Sequence, residues 1–196
     1  MGRSENTYEK IIAAAVELFA RKGYHGTSIR DITDKVGVSK GAMHNHFTSK
    51  GELVQKLIRE YEARYVNEII RISEEQPGTA RDKLHRAMSI VSEFALQNVE
   101  WNLFFDNLSN ELKSDPDFAP LFAAVRFKLH KFRSDLISQG IRQGLLKKEL
   151  NPNLASFLME SLSIGMFQVW VMNRTLIDGK EFVRMMRTVL FKGIDL

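Results

Sequence analysis

Along most of this chain apolar residues recur at three- and four-residue spacing, with polar residues between them. That period belongs to the amphipathic α-helix. The first stripe is Ile11, Ile12, Ala15, Leu18 and Phe19, which predicts a helix over about 6–22 closed by Gly23 as a left-handed cap, with Gly26 ending the following loop. Ser28 reads as the N-cap of a short helix that buries Ile29, Ile32 and Val36, and Asp31 three residues on suggests a capping box. Gly37 breaks that helix. Ser39 caps a third, very short helix through Phe47, and Ser49 caps a fourth, with Glu52 three residues on, running to about Ser73. After a linker-like stretch at 74–78, helices are expected at about 79–98, 101–112, 117–143, 153–175 and 180–192. Pro77, Pro116, Pro120 and Pro152 all fall at boundaries or first turns. No period-2 alternation is sustained. The expected fold is all-α, about nine helices, with an N-terminal three-helix domain and a C-terminal helical bundle.

Two short helices joined at Gly37-Val38 have the spacing of a helix-turn-helix. The second is short enough to enter a major groove about 12 Å wide, leading with its N-terminal residues. Val38, Met43 and Phe47 are expected to face inward against Ile32 and Val36. Lys40, Ala42, His44 and Asn45 then point out. Lys40 suits guanine O6/N7, Asn45 suits adenine N6/N7, and Ala42 suits a thymine methyl. Lys50, in the first turn of the fourth helix, suits a phosphate.

Charge supports this reading where it is concentrated. The net charge is +4 over 196 residues, but residues 1–56 hold nine Lys/Arg against six Asp/Glu, so the excess sits mainly in the first quarter. The absence of cysteine excludes disulfides and thiolate chemistry. No signal peptide is read in the polar N-terminus, and the best apolar run, residues 164–172, is shorter than the ~20 residues that span a bilayer. These features point to a cytoplasmic protein without membrane contact.

Residues 27–54, TSIRDITDKVGVSKGAMHNHFTSKGELV, closely resemble the DNA-binding domain of TetR-family repressors, and residues 15–26 fit that family's first helix and loop. The resemblance covers roughly residues 8–56. Two positions depart from the family pattern: Thr33 stands in place of a small alanine, and His44 in place of a tyrosine that contacts DNA. The resemblance implies a DNA-binding domain over 1–56, with the interface drawn from Ser28, Arg30, Thr33, Ser39, Lys40, Gly41, Ala42, His44, Asn45, His46 and Lys50. It also implies a ligand-sensing and dimerisation domain over 57–196.

The segment from Phe94 to Trp170 is rich in large aromatic and methionine side chains. Residues of this kind at helical spacing are usually core. The family implies a pocket among them, for which Trp101, Phe105, Phe122, Arg126, Phe167 and Trp170 are the candidate lining, with a large apolar or aromatic effector. The penultimate helix is apolar on more than one side and needs cover on both. Leu158, Leu162, Gly165 and Val169 from it, with Met186 and Leu190 from the last helix, are the expected homodimer interface.

No catalytic group, cofactor site or metal site is expected. His44 and His46 point about 200° apart on a helix and cannot chelate together. No convergent acid, base or nucleophile is read around His85 or His130. The expected function is a ligand-responsive DNA-binding regulator, a repressor released from a pseudo-palindromic operator. A helical protein-binding adaptor with a silent helix-turn-helix is the alternative.

Overall fold

The computed structural model describes residues 3–194, with residues 3–5 as backbone only. Ten α-helices follow in order: α1 (Arg3–Lys22), α2 (Ile29–Val36), α3 (Lys40–His44), α4 (Lys50–Tyr61), α5 (Asn67–Glu75), α6 (Ala80–Gln97), α7 (Val99–Glu111), α8 (Ala119–Arg142), α9 (Pro152–Met172) and α10 (Gly179–Ile194). A π-turn, Glu62–Val66, joins α4 to α5, so these two form the single long fourth helix expected from the sequence. No strand is present among the described residues.

The chain forms two compact units. The first comprises residues 1–64 and 98–125, the second residues 65–97 and 126–196. In the first, α1 buries Ile11, Ile12, Ala15, Val16 and Phe19 against α2 and α7. Leu53, Val54, Leu57 and Ile58 of α4 complete the core with Phe104, Phe105 and Leu108 of α7. Tyr61 stacks on Phe105 with centroids 4.2 Å apart, and Phe122 meets the same ring edge-on at 5.2 Å.

The core of the second unit is built from Leu84 and Met88 of α6, Leu136 and Ile137 of α8, Met159 of α9, and Met186, Leu190, Phe191 and Ile194 of α10. Leu146 folds over Gly140, where a Cβ would collide with its side chain. One charge is buried with the apolar groups. Arg133, 2% exposed, donates from Nε to Ser156 Oγ at 3.3 Å and pairs through Nη2 with Glu160 at 3.2 Å. Glu160 also receives Arg126 at 3.2 Å. Burial pushes the Arg133 guanidinium below its ordinary value while the Glu160 carboxylate opposes that shift.

Helix α9 corrects one expectation. At 21 residues it is long and apolar enough, by length and composition, to cross a membrane. The run extends well upstream of Ile164 because Glu160 is its only charged residue. Its outward side is apolar too: Leu154, Phe157, Leu158 and Met172 are all more than half exposed.

Candidate nucleic-acid interface

Three serines set the helix starts of the N-terminal unit. Ser28 Oγ accepts from Asp31 N at 3.1 Å, and Asp31 Oδ2 accepts from Ser28 N at 2.8 Å and from the Ser28 hydroxyl. That closed capping box holds the exposed Asp31 carboxyl at about 2, well below its ordinary value. Ser39 Oγ accepts from Ala42 N at 3.1 Å, and Ser49 Oγ from Glu52 N at 3.0 Å. Glu52 reaches one residue further back than a capping box requires, to Thr48 N at 2.7 Å and the Thr48 hydroxyl. These hydrogen bonds lower its pKa.

Between α2 and α3, Gly37 adopts φ 76° and its N–H returns to Thr33 O, the left-handed cap a tight helix-turn-helix needs. Met43 and Phe47, 1% and 5% exposed, anchor the inner side of α3. Lys40, Gly41, His44 and Asn45 are exposed on its outer side, with Ala42 half-buried. Arg30 on α2 is exposed and holds only a solvent-facing contact with Asp34 at 3.5 Å. Such a pair is weak and leaves the guanidinium able to swing toward a phosphate.

The remaining expected residues have other surroundings. Thr33 is 5% exposed and donates to Arg30 O at 3.0 Å, so it offers no outward surface. Ser28 and Ser39 spend their hydroxyls on caps. His46 is half-buried with its ring 6.0 Å from that of Tyr8. The Lys50 ammonium donates to Tyr24 O at 2.8 Å and Thr27 O at 3.0 Å and sits 4.1 Å from the Tyr24 ring centroid. It braces the α1–α2 loop from within.

The same loop is held from α7 by a residue the sequence did not single out. Glu111 accepts from Tyr24 N at 2.7 Å and His25 N at 2.9 Å, and Asn107 Nδ2 donates to Ala20 O at 2.9 Å. A signal existed: Glu111 is an acid at a helix C-terminus, where the macrodipole disfavours it, so a partner outside the helix is implied.

Residues 11–57 match the family model for bacterial regulatory proteins of the tetR family. Over 149 residues the chain is 30% identical to an HTH-type transcriptional regulator of Lactococcus lactis, covering 71% of this chain and 74% of that one. This chain belongs to the TetR family. The fold agrees over nearly its whole length. A ketosteroid transcriptional regulator of Mycobacterium tuberculosis superposes with a TM-score of 0.83 at 20% identity, covering 97% of this chain and 95% of that one. A transcriptional regulator of Bacillus subtilis in complex with stearoyl-CoA does so at 0.76 and 22%, covering 93% and 97%. These relatives are transcriptional regulators, not enzymes.

As a TetR-family regulator the chain places its other candidate residues as follows. Trp101, Phe105 and Phe122 belong to the first unit, where Phe105 and Phe122 are core. Arg126, Phe167 and Trp170 belong to the second. Phe167 and Trp170 line a cavity of about 40 Å³ together with Leu96, Met166, Phe182 and Met186, whereas Arg126 is paired with Glu160. Of the expected dimer residues, Leu158, Gly165 and Val169 are exposed on α9 and Leu162 is half-buried. Met186 and Leu190, 9% and 7% exposed, are committed to the core of their own unit. The outward apolar positions of α10 are Met185 and Val189.

Proposed function

We propose that this TetR-family regulator is a cytoplasmic repressor that binds a pseudo-palindromic operator as a homodimer and releases it when a small apolar or aromatic effector binds. In this reading residues 1–56 hold the DNA-reading part and residues 57–196 the ligand-sensing and dimerising part. The observation that carries it is the division of α3: Met43 and Phe47 fix the helix from inside, and Lys40, Gly41, His44 and Asn45 stand exposed on its outer surface. Half-sites lie about 34–36 Å apart, so a few ångströms of misfit between two such helices weakens binding. A relative of the same fold that holds stearoyl-CoA favours an effector with a substantial apolar body, and the cavity of about 40 Å³ bordered by Phe167 and Trp170 has to widen to admit one.

Selection of genomic fragments on the purified protein at about 150 mM salt tests this reading, because non-specific binding is weakened there. A shared pseudo-palindrome that is lost with Lys40→Ala supports it. Enrichment without a common motif counts against operator recognition and favours the adaptor.

A further inference from the structure

Helix α10 carries three unlike faces, since each residue advances the side-chain direction by about 100°. Met186, Leu190 and Ile194 point into the core of the second unit. Met185 and Val189, 59% and 66% exposed, form an outward apolar strip. The third face carries Lys180, Arg184 and Arg187 at successive helical turns, with Thr188 beside them. It is rotated roughly 150° from the apolar strip, so a dimer seam on Met185 and Val189 leaves it open.

Arg81 and His85 of α6 border the same face, and the two helices flank a shallow, solvent-open cleft of about 620 Å³. Its lining adds Lys192, Thr188 and Phe191, with no acid among the described residues. A second hollow of about 440 Å³ shares Arg184 and Arg187 and adds Lys180, with Glu93 its single acid. Arg184 contacts Glu181 at 3.3 Å, but both side chains are largely in solvent and the pair is weak. Among the described residues no carboxylate lies within ion-pair distance of Lys180, Arg187 or Lys192. Arg187 Nε is buried and has no hydrogen-bond partner. A buried donor in that condition is rare in folded proteins and points to an acceptor that arrives from outside.

We propose that this cleft binds a small polyanion carrying two or more phosphate-type groups, at a site separate from the DNA-reading face. The guanidinium forks of Arg184 and Arg187 match phosphate oxygens two at a time. From Lys180 to Arg187 the basic face extends about 10 Å along the helix, enough to engage two neighbouring phosphate groups. The concave shape and the buried Arg187 Nε favour a small ligand, because a duplex backbone does not reach below the surface between two helices.

Calorimetric titration of the full-length protein with pyrophosphate, at constant ionic strength against a sulfate control, tests the site. The expected result is saturable binding at one pyrophosphate per chain, weakened about tenfold or more by Arg187→Gln and unchanged by Lys40→Ala. Thr188→Glu, at an exposed position, places a carboxylate in the cleft and should abolish binding without disturbing the core. No saturable binding, binding untouched by both cleft variants, or binding lost equally with Lys40→Ala would overturn the proposal, the last by assigning the anion to the DNA-reading face.

Discussion

The Glu111 carboxylate accepts the Tyr24 amide at 2.7 Å, tying the last turn of α7 to the loop between α1 and α2. The same carboxylate takes the His25 amide at 2.9 Å, so two loop donors depend on one side chain. Hydrogen bonds to a charged group contribute about 1.5–3 kcal/mol each when buried. The Glu111 side chain is 26% exposed, which weakens each bond to about 1 kcal/mol. Glu111→Ala should therefore lower unfolding stability by about 2 kcal/mol, and Glu111→Gln by less, because the amide keeps one acceptor. Denaturant unfolding of both variants, with amide exchange at Tyr24 and His25, checks this. Unaltered exchange at those two amides in Glu111→Ala would refute the clamp.

Lys50 separates a brace from a DNA contact. Two of its three N–H donors already serve Tyr24 O and Thr27 O. Lys50→Met should lower stability, and its operator affinity should fall by a factor that does not change with salt. Lys40, exposed on α3, should behave in the opposite way. Lys40→Ala should leave stability near the parent and reduce the slope of log affinity against log salt by about one. A salt slope reduced equally by both substitutions would place the Lys50 ammonium on a phosphate.

The contrast between Lys40 and Lys50 shows what the sequence carried. Helix limits and caps were legible because they depend on neighbours in sequence: Ser28 with Asp31, Gly37 with Thr33, Ser39 with Ala42. Residue placement was legible where one face was apolar and the other polar, as on α3. It was not legible for Thr33 or Lys50, whose partners are backbone groups with no residue-type signature, and for Glu111 the unfavourable helix C-terminus signalled a partner without identifying it. On α10 the expected interface took Met186 and Leu190, which are buried, whereas the outward apolar positions Met185 and Val189 each lie one residue, about 100°, away from them. Helix α9 is apolar on several sides, so periodicity alone assigns neither its inner nor its outer face.

Asp31 gives a pH signature whose sign follows from its shift. Its carboxyl sits at about 2 in the folded protein against an ordinary 3.8, so the folded state favours the ionised form. The stabilisation is complete above about pH 4–5 and is lost as pH falls through about 2. Asp31→Asn should therefore be less stable than the parent at pH 7, with the difference shrinking steadily between pH 4 and 2. Parallel thermal melts across that range decide it. A difference that stays constant with pH would mean that the charge contributes nothing to the cap.

Removing Glu160 leaves the 2%-exposed Arg133 guanidinium without its countercharge. Breaking a buried pair from one side costs roughly 3–5 kcal/mol, whereas replacing both partners by apolar groups is often close to neutral. Glu160→Gln should sit near the lower figure, since the amide still accepts a hydrogen bond. The double variant Arg133→Met, Glu160→Met should recover much of the loss. Failure of the double variant to recover any stability would show that the Ser156 and Arg126 contacts, rather than the ion pair, hold this part of the unit.

The outer face of α9 offers the sharpest test of the dimer. Leu154, Leu158, Gly165, Val169 and Met172 fall within roughly 60° of one another around the helix, so they form one continuous strip. Four of them are large apolar residues between 45% and 79% exposed, and a Cβ added at Gly165 would meet nothing within 4 Å. A flat strip of this kind suits close approach of another helix. Leu158→Glu puts a carboxylate at its centre, where a symmetric interface would bring two such charges together without a countercharge. Dimer affinity should fall by a factor of 100 or more, about 2.7 kcal/mol, with the fold of each chain intact because Leu158 is outside the core. Leu158→Ala should cost much less. Sedimentation at several concentrations reads the shift from dimer to monomer, and operator affinity should drop with it because one reading helix binds alone. A Leu158→Glu protein that remains dimeric would place the interface elsewhere and leave the α9 strip without its proposed partner.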